Sequence, residues 1–443
     1  MTRSIRRILM CSMAVPWPTR PTLCAFHHDQ ARALAELGTE MRLFSPVPRL
    51  PRFLRHVHPR LRGHIDRPQQ YTLHGVKTES PRCAFVFPPW VRHRLAAKHP
   101  QLVAQTARVA IEQELRRVVA EYQPDVLLGH GVMPLGRLLQ SLSRDLRVPY
   151  AIIEHSAGDV MRLKSGSALA QHYAEVAAEA ERVFVVGTWM RSHLQRLGWA
   201  NVSQIPNGAG MPTQRQSLRP RPEELQGRKV VLSAATYDRR KGFEEVIGGF
   251  ARIALAHPDA FLVLVTDACA RLRRQVVAAG IADRVQVLPL MSQEDLKQWM
   301  VWADLFAMPS WSEAFGLVYV EALACRTPVL MTTDCGLAPQ LRLAVHEPSR
   351  EHHGWLVPPR NIGAVADALD DALLHPAHLE QMGSAGRDFV RRRFTWRQNA
   401  VELLAGLGQD PMRFHEPSVL LPRGDRAPVN ASVSLGSIGC EWS

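Results

Sequence analysis

The stretch that decides the fold is Pro309-Ser310-Trp311-Ser312-Glu313-Ala314-Phe315-Gly316-Leu317-Val318-Tyr319-Val320-Glu321-Ala322-Leu323. The apolar run before it, Asp304 to Met308, reads as a buried parallel strand. An apolar helix follows from Leu317 to Cys325, and then a second buried run, Pro328 to Thr332. The unit is strand, loop, helix, strand, with one carboxylate in the loop and another inside the helix. Gly316 lets the backbone come close to a ligand. The amides from Ala314 to Val318 have no intrahelical partners and sit at the positive end of the helix dipole, where a phosphate fits. Glu321, about one turn in, is placed to accept hydrogen bonds from a ribose. Glu313 lies on the other side of the diphosphate position, where a sugar would hang. The plainer alternative is a helix N-terminus carrying two surface acids.

Glu-x-Phe-Gly, with a second Glu eight residues after the first, resembles the Glu-x7-Glu signature of the retaining GT-B glycosyltransferases of family 4. The resemblance extends over roughly residues 8 to 405 and is most specific in the second half. It implies an α/β fold of two Rossmann-like domains whose parallel sheets face a central cleft. The alternation of strands and helices supports parallel sheets independently of any family. The second domain would hold a nucleoside diphosphate sugar of the UDP or GDP type as co-substrate, and the first would hold the acceptor, a carbohydrate or a lipid-linked saccharide.

The loop Thr236 to Gly242 resembles the family's Gly-Arg-Leu-x-x-x-Lys-Gly. Lys241 and Gly242 are kept, while Ala235 and Thr236 replace the Gly and the Arg. Arg239 or Arg240 could restore the missing charge. A cation is disfavoured beside a helix N-terminus, so Lys241 points to an anion nearby. The resemblance assigns Glu321, Lys241, Phe315, Gly316, Leu317, Thr236 and Arg240 to the nucleotide sugar. It assigns Glu313, Lys241 and His155 to the reacting end. Thr332 to Gln340 resembles the family's Gly-Gly-x-Pro-Glu turn, with Cys335 and Gln340 as replacements. Pro206-Asn207-Gly208 matches the hinge, and Phe394-Thr395-Trp396 the start of a last helix returning to the first domain.

In the first half, Ile8 to Val15 reads as a strand and Phe26 to Leu37 as a helix. The loop between them carries Cys24 where the family has Gly. Ligands of open parallel sheets gather at the carboxyl ends of strands. Two strand ends, Asp125 to Gly131 and Pro149 to His155, therefore aim His130, Glu154 and His155 at one crevice. The Glu154-His155-Ser156 run resembles the segment whose histidine contacts the donor sugar. Cys24, His28 and His130 are further candidates for the acceptor side of the cleft, with His27 beside them.

Pro46 to Pro100 reads as irregular. It holds Arg49, Arg52, Arg55, Arg60, Arg62 and Arg67 against Asp66, and then Phe85 to Trp90. Basic side chains meet lipid phosphates and aromatics enter the interface, so this region is expected to dock on an anionic membrane carrying the acceptor.

The whole chain has 443 residues, 54 basic against 41 acidic, a net charge of +13 and a sequence pI near 9.9. That balance favours anionic partners, and with no nucleic-acid module in view nucleic acid is not expected. Seven cysteines lie scattered with no Cys-x-x-Cys, which suggests neither zinc nor a disulfide framework. No Asp-x-Asp follows an apolar strand, so no metal clamp on the diphosphate is expected. The N-terminal apolar run is short and lacks a cleavage site, and no run reaches the roughly 20 residues of a membrane span. The expected location is cytoplasmic, peripheral on the inner face of the membrane. The expected domains are 1–206, a linker 207–228, 229–394, a returning helix 395–409 and a disordered tail 410–443. Two rival readings stay open: a nucleoside diphosphate sugar epimerase, and a non-catalytic relative whose altered loops at Cys24, Thr236 and Cys335 no longer serve catalysis.

Overall fold

Ile8 to Cys11 is a continuous apolar run, and all four residues are fully buried in the computed structural model, which describes residues 4–20, 23–57, 59–86, 95–345 and 351–410. A strand apolar on both faces belongs in the middle of a parallel sheet covered by helices. The first sheet is built from β1 (Arg7–Cys11), β2 (Glu40–Phe44), β4 (Gln70–Leu73), β5 (Val76–Glu79), β7 (Val126–His130), β8 (Tyr150–Glu154), β9 (Arg182–Val185) and β10 (Val202–Gln204). Two further strands of this half, β3 (Val47–Pro48) and β6 (Arg82–Cys83), pair with each other. The order is β10-β9-β8-β7-β1-β2-β5-β4, parallel except for β4 against β5.

The second sheet contains β11 (Lys229–Ala234), β12 (Ala260–Val265), β13 (Val285–Leu288), β14 (Leu305–Ala307), β15 (Val329–Thr332) and β16 (Gly354–Val357), all parallel, in the order β13-β12-β11-β14-β15-β16. That is a Rossmann order, with a switch point between β11 and β14. In the first sheet the switch lies between β1 and β7.

The region from Pro46 to Pro100 is more ordered than its composition suggests. The β4–β5 hairpin turns at His74-Gly75, with φ of 44° and 84°, the two positive values of a tight hairpin turn. A helix spans Pro59–Asp66. The basic patch is correspondingly broken up. Arg67 is 2% exposed, donates to the Tyr71 hydroxyl at 3.1 Å and lies over the Trp17 ring. Arg55 and Arg62 both turn to Asp66, at 3.3 and 3.4 Å. Arg49 and Arg52 are exposed. Phe87 and Trp90 lie outside the described residues. Among the described residues no helix is long and apolar enough to cross a membrane.

Contacts between the two halves include the last helix and the rim of the cleft. The helix Trp396–Gly406 packs on the helix Ala25–Glu36, where Gln30 donates to Asn399 at 2.7 Å and Asn399 donates to the Pro206 carbonyl at 2.8 Å. Near the cleft, Gly187 at the end of β9 lies against the Ala314 carbonyl, so that any Cβ there would overlap the oxygen. Gly187→Ala should therefore part the domains without unfolding either sheet. Small-angle scattering should report a larger radius of gyration with near-native circular dichroism. An unchanged radius would mean that the two walls do not depend on this contact.

Candidate active site

The loop after β11 and the loop after β14 flank the switch point of the second sheet. The first ends in Lys241, the second carries Glu313, and the Lys241 ammonium bonds to the Glu313 carboxylate. The backbone of Glu313 is held on three sides. Its N–H donates to Asp334 O at 3.2 Å, and its carbonyl accepts from Gly336 N at 3.0 Å and from the Trp189 indole at 3.1 Å. Trp189 belongs to the first domain, so domain packing helps to set this carboxylate. The anion that the position of Lys241 called for is supplied within the chain by Glu313.

Gly316 opens the helix Leu317–Ala324 with φ 88°, a left-handed value that favours glycine. A Cβ there would lie 2.5 Å from the Tyr319 ring. Phe315 is buried, and Leu317 begins the helix. Cys335 fits where the resemblance has a glycine: it is buried and its thiol donates to Phe315 O at 3.1 Å, securing the turn from which the helix starts. Burial pushes that thiol up to about 12, so it stays protonated. Thr236 is exposed just beyond β11. Arg240 is turned onto Asp238 through two contacts of 3.0 and 2.6 Å. Arg239 and Arg360 lie over the Trp311 ring instead.

Glu321 is half-buried, and burial pushes its carboxyl up to about 7. The charge of Lys297 pulls it down, and Asp29 of the facing domain pushes it up. Lys297 and Asp29 carried no motif: Lys297 reaches Glu321 from a neighbouring helix of the same domain, Gln293–Trp302, and Asp29 from across the cleft.

The opposite wall is the carboxyl edge of the first sheet. His130 ends β7, His155 follows β8, and His27 comes from the helix after β1. His130 Nδ1 and His155 Nε2 are 2.9 Å apart, with the rings parallel to within 3°. The His27 ring stands edge-on to His130 with centroids at 4.1 Å. His28, expected in the cleft, points away: its Nε2 contacts Leu73 O at 2.6 Å, and it packs on the hairpin turn. Adjacent helix positions face directions about 100° apart, so only one of the two histidines can face inward. Cys24 is half-buried and left-handed, with φ 50°, so its backbone adopts a shape that a glycine would take with less strain.

Glu154 also departs from expectation. Its carboxylate turns inward, accepting from Val132 N at 3.0 Å, Ser156 N at 2.8 Å and Tyr173 OH at 3.4 Å. It ties the two histidine-bearing loops together and leaves the crevice to their rings.

Two Rossmann-like sheets facing each other across a cleft make up the GT-B fold. A sequence model of the glycosyl transferases group 1 matches residues 214–389, and one of the glycosyl transferase 4-like domain matches residues 25–208. The chain belongs to the GT-B glycosyltransferases of family 4.

The chain is 32% identical over 185 residues to a D-inositol 3-phosphate glycosyltransferase of Jonesia denitrificans, covering 40% of this chain and 42% of that one. It is 33% identical over 200 residues to the enzyme of that name from Mycolicibacterium smegmatis, covering 44% and 41%. The matches thus span less than half the length of these relatives. Among solved structures, sucrose-phosphate synthase from Thermosynechococcus elongatus superposes with TM-score 0.67 at 22% identity, over 90% of this chain and 97% of that one. Anabaena HepE in complex with UDP and glucose superposes with TM-score 0.63 at 18% identity, over 91% and 99%. At these identities the likeness is one of fold.

Burial raises the Glu154 carboxyl to about 7 from an ordinary 4.5. A raised carboxyl contributes stability that is complete below the unfolded value and is lost as pH rises through 7. Glu154→Gln cannot titrate, and it keeps only part of the hydrogen bonding. It should be less stable than wild type in acid, and the gap should narrow by up to about 3 kcal/mol in alkali. Denaturant unfolding at several pH values measures this. A constant gap would show that the carboxyl does not titrate in this range.

Proposed function

We propose that the protein transfers a sugar from a nucleoside diphosphate sugar of the UDP or GDP type to an acceptor hydroxyl, with retention of configuration. The observation that carries this reading is the convergence of Lys241, Glu313 and the Gly316 helix start on one switch point. The diphosphate lies at the amides of Phe315 to Leu317, beside Lys241. Its developing charge is met by that ammonium and by the helix start, groups already in place before reaction. Glu313 holds sugar hydroxyls and Glu321 the ribose. His155 stands on the facing wall, in the place from which the resemblance has a histidine contact the donor sugar.

Bond formation and cleavage take place on the same face. The bond from the anomeric carbon to the phosphate oxygen breaks as the acceptor oxygen attacks, and the acceptor proton passes to the leaving phosphate oxygen. No separate general base is required. Thr236 and the Asp238-bound Arg240 leave Lys241 as the principal cation of the donor loop.

The name of the curated relatives and the net charge of +13 support an anionic acceptor, a phosphorylated polyol or a phosphate-linked saccharide. A phosphate on a lipid carrier would suit the exposed Arg49 and Arg52. The epimerase reading is separated by its product, a free isomerised sugar nucleotide. The non-catalytic reading is weakened by the snug fit of Cys335.

Incubation with labelled sugar nucleotides and a panel of phosphorylated acceptors should yield a glycoside and free nucleoside diphosphate. Lys241→Met should cost about 2.7–4 kcal/mol of barrier, a 10²–10³-fold loss, and should weaken nucleoside diphosphate binding. Glu313→Gln should abolish transfer while sparing diphosphate affinity. Loss of both in Glu313→Gln would place that residue in the fold, and release of an isomerised sugar nucleotide without acceptor would favour the epimerase.

The ribose hydroxyls donate to Glu321, so the nucleotide favours its ionised form. Because that carboxyl sits near 7, flanked by Lys297 and Asp29, affinity should fall as pH drops through 7. Calorimetric titration across this range should show a slope that Glu321→Gln flattens. A pH-independent affinity in the wild type would remove Glu321 from the ribose.

A further inference from the structure

Of the three histidines on the facing wall, the sugar-transfer reading uses only His155. Among the described residues, His27, His130 and His155 form a group whose candidate ligand nitrogens all lie within 4.8 Å of one another. Each ring arrives from a different element at the switch point of the first sheet, so the grouping is set by the fold. His27 Nδ1 is 2.7 Å from Ala14 O. A carbonyl only accepts, so Nδ1 carries the proton and Nε2 keeps its lone pair. A backbone carbonyl orienting one ring nitrogen while the other stays basic is the usual support of a metal-binding imidazole.

The space between His130 Nδ1 and His155 Nε2 admits one proton. Whichever ring carries it, the outer nitrogens, His130 Nε2 and His155 Nδ1, comprise one N–H and one lone pair. Both atoms are buried without a protein partner. A cation that takes the place of this proton meets both inner lone pairs, His130 Nδ1 and His155 Nε2, and leaves each outer nitrogen carrying its N–H. Two nitrogens on one tetrahedral zinc stand roughly 3.3 Å apart at bond lengths of about 2.0–2.1 Å, close to the 2.9 Å found here.

We propose that His27, His130 and His155 bind one divalent transition cation of the zinc class, leaving a coordination position for the oxygen of water or of a hydroxyl in the cleft. Imidazole ligands suit zinc, nickel or copper, whereas magnesium and calcium prefer oxygen. The site is separate from the diphosphate loop of the second domain; it shares His155 with the proposed donor-sugar contact, and its test reads metal binding and not transfer.

The test uses the full chain, stripped with chelator and dialysed. Titration with zinc chloride should show one equivalent bound per chain, with a raised melting temperature, since a ligand of the native state stabilises it. Cobalt(II) should give the visible absorption of a tetrahedral site, and magnesium should do neither. His130→Gln and His155→Gln should each weaken zinc binding by at least about 100-fold, whereas His378→Gln, a control among the 19 histidines, should not. Absence of stoichiometric zinc in the wild type, or unchanged affinity in both cleft variants, would overturn the proposal. Should the variants misfold, ring-nitrogen NMR of the wild type decides: three imidazoles shifted by zinc support the site, and unshifted rings sink it.

Discussion

The carbonyl of Ala314 is wedged between two glycines, Gly187 of the first domain and Gly336 of the second. Neither position has room for a side chain. Because the wedge sits one residue from Glu313, the distance between the domains and the placement of that carboxylate are one constraint. Trp189 reinforces it by donating across the cleft to Glu313 O. The donor loop is thus shaped from both sides, by its own sheet and by the wall it faces.

Charge is handled locally on either side of the cleft. In the loops after β11 and β14, Lys241 meets Glu313 and Arg240 meets Asp238, so each of these cations is paired within the chain. In the first domain Arg55 and Arg62 turn to Asp66, Arg67 to Tyr71 and Trp17, and Arg49 and Arg52 to solvent. A linear count of six against one overstated the field of this surface, because folding spends several of those charges inside the domain. Such surface pairs contribute little to stability, about 0–1 kcal/mol each. Their effect is to shape the local potential.

The facing wall follows the opposite rule. His27, His130 and His155 are kept uncharged by burial, and the one carboxylate near them, Glu154, is turned inward onto backbone amides. The cleft therefore sets a charged edge, carrying Lys241 and Glu313, against an uncharged imidazole edge. That asymmetry arises from topology, since each edge is the carboxyl end of a parallel sheet at its switch point.

Local pattern determined much of this. Continuous apolar runs such as Ile8 to Cys11 and Phe261 to Val265, short and rich in β-formers, read as central parallel strands, and the spacing of Glu313, Gly316 and Glu321 follows from one strand–loop–helix unit. Those features depend on neighbours in the chain, so the sequence alone was enough to read them. The β4–β5 hairpin escaped because its turn uses His74 in a left-handed conformation that composition does not signal. Which of His27 and His28 faces inward, the inward turn of Glu154, the burial of Arg67 and the approach of Asp29 and Lys297 to Glu321 all hang on contacts between residues far apart in the chain. Only the tertiary structure decides them, because desolvation and pairing are properties of a place in space, and the linear sequence does not contain that place.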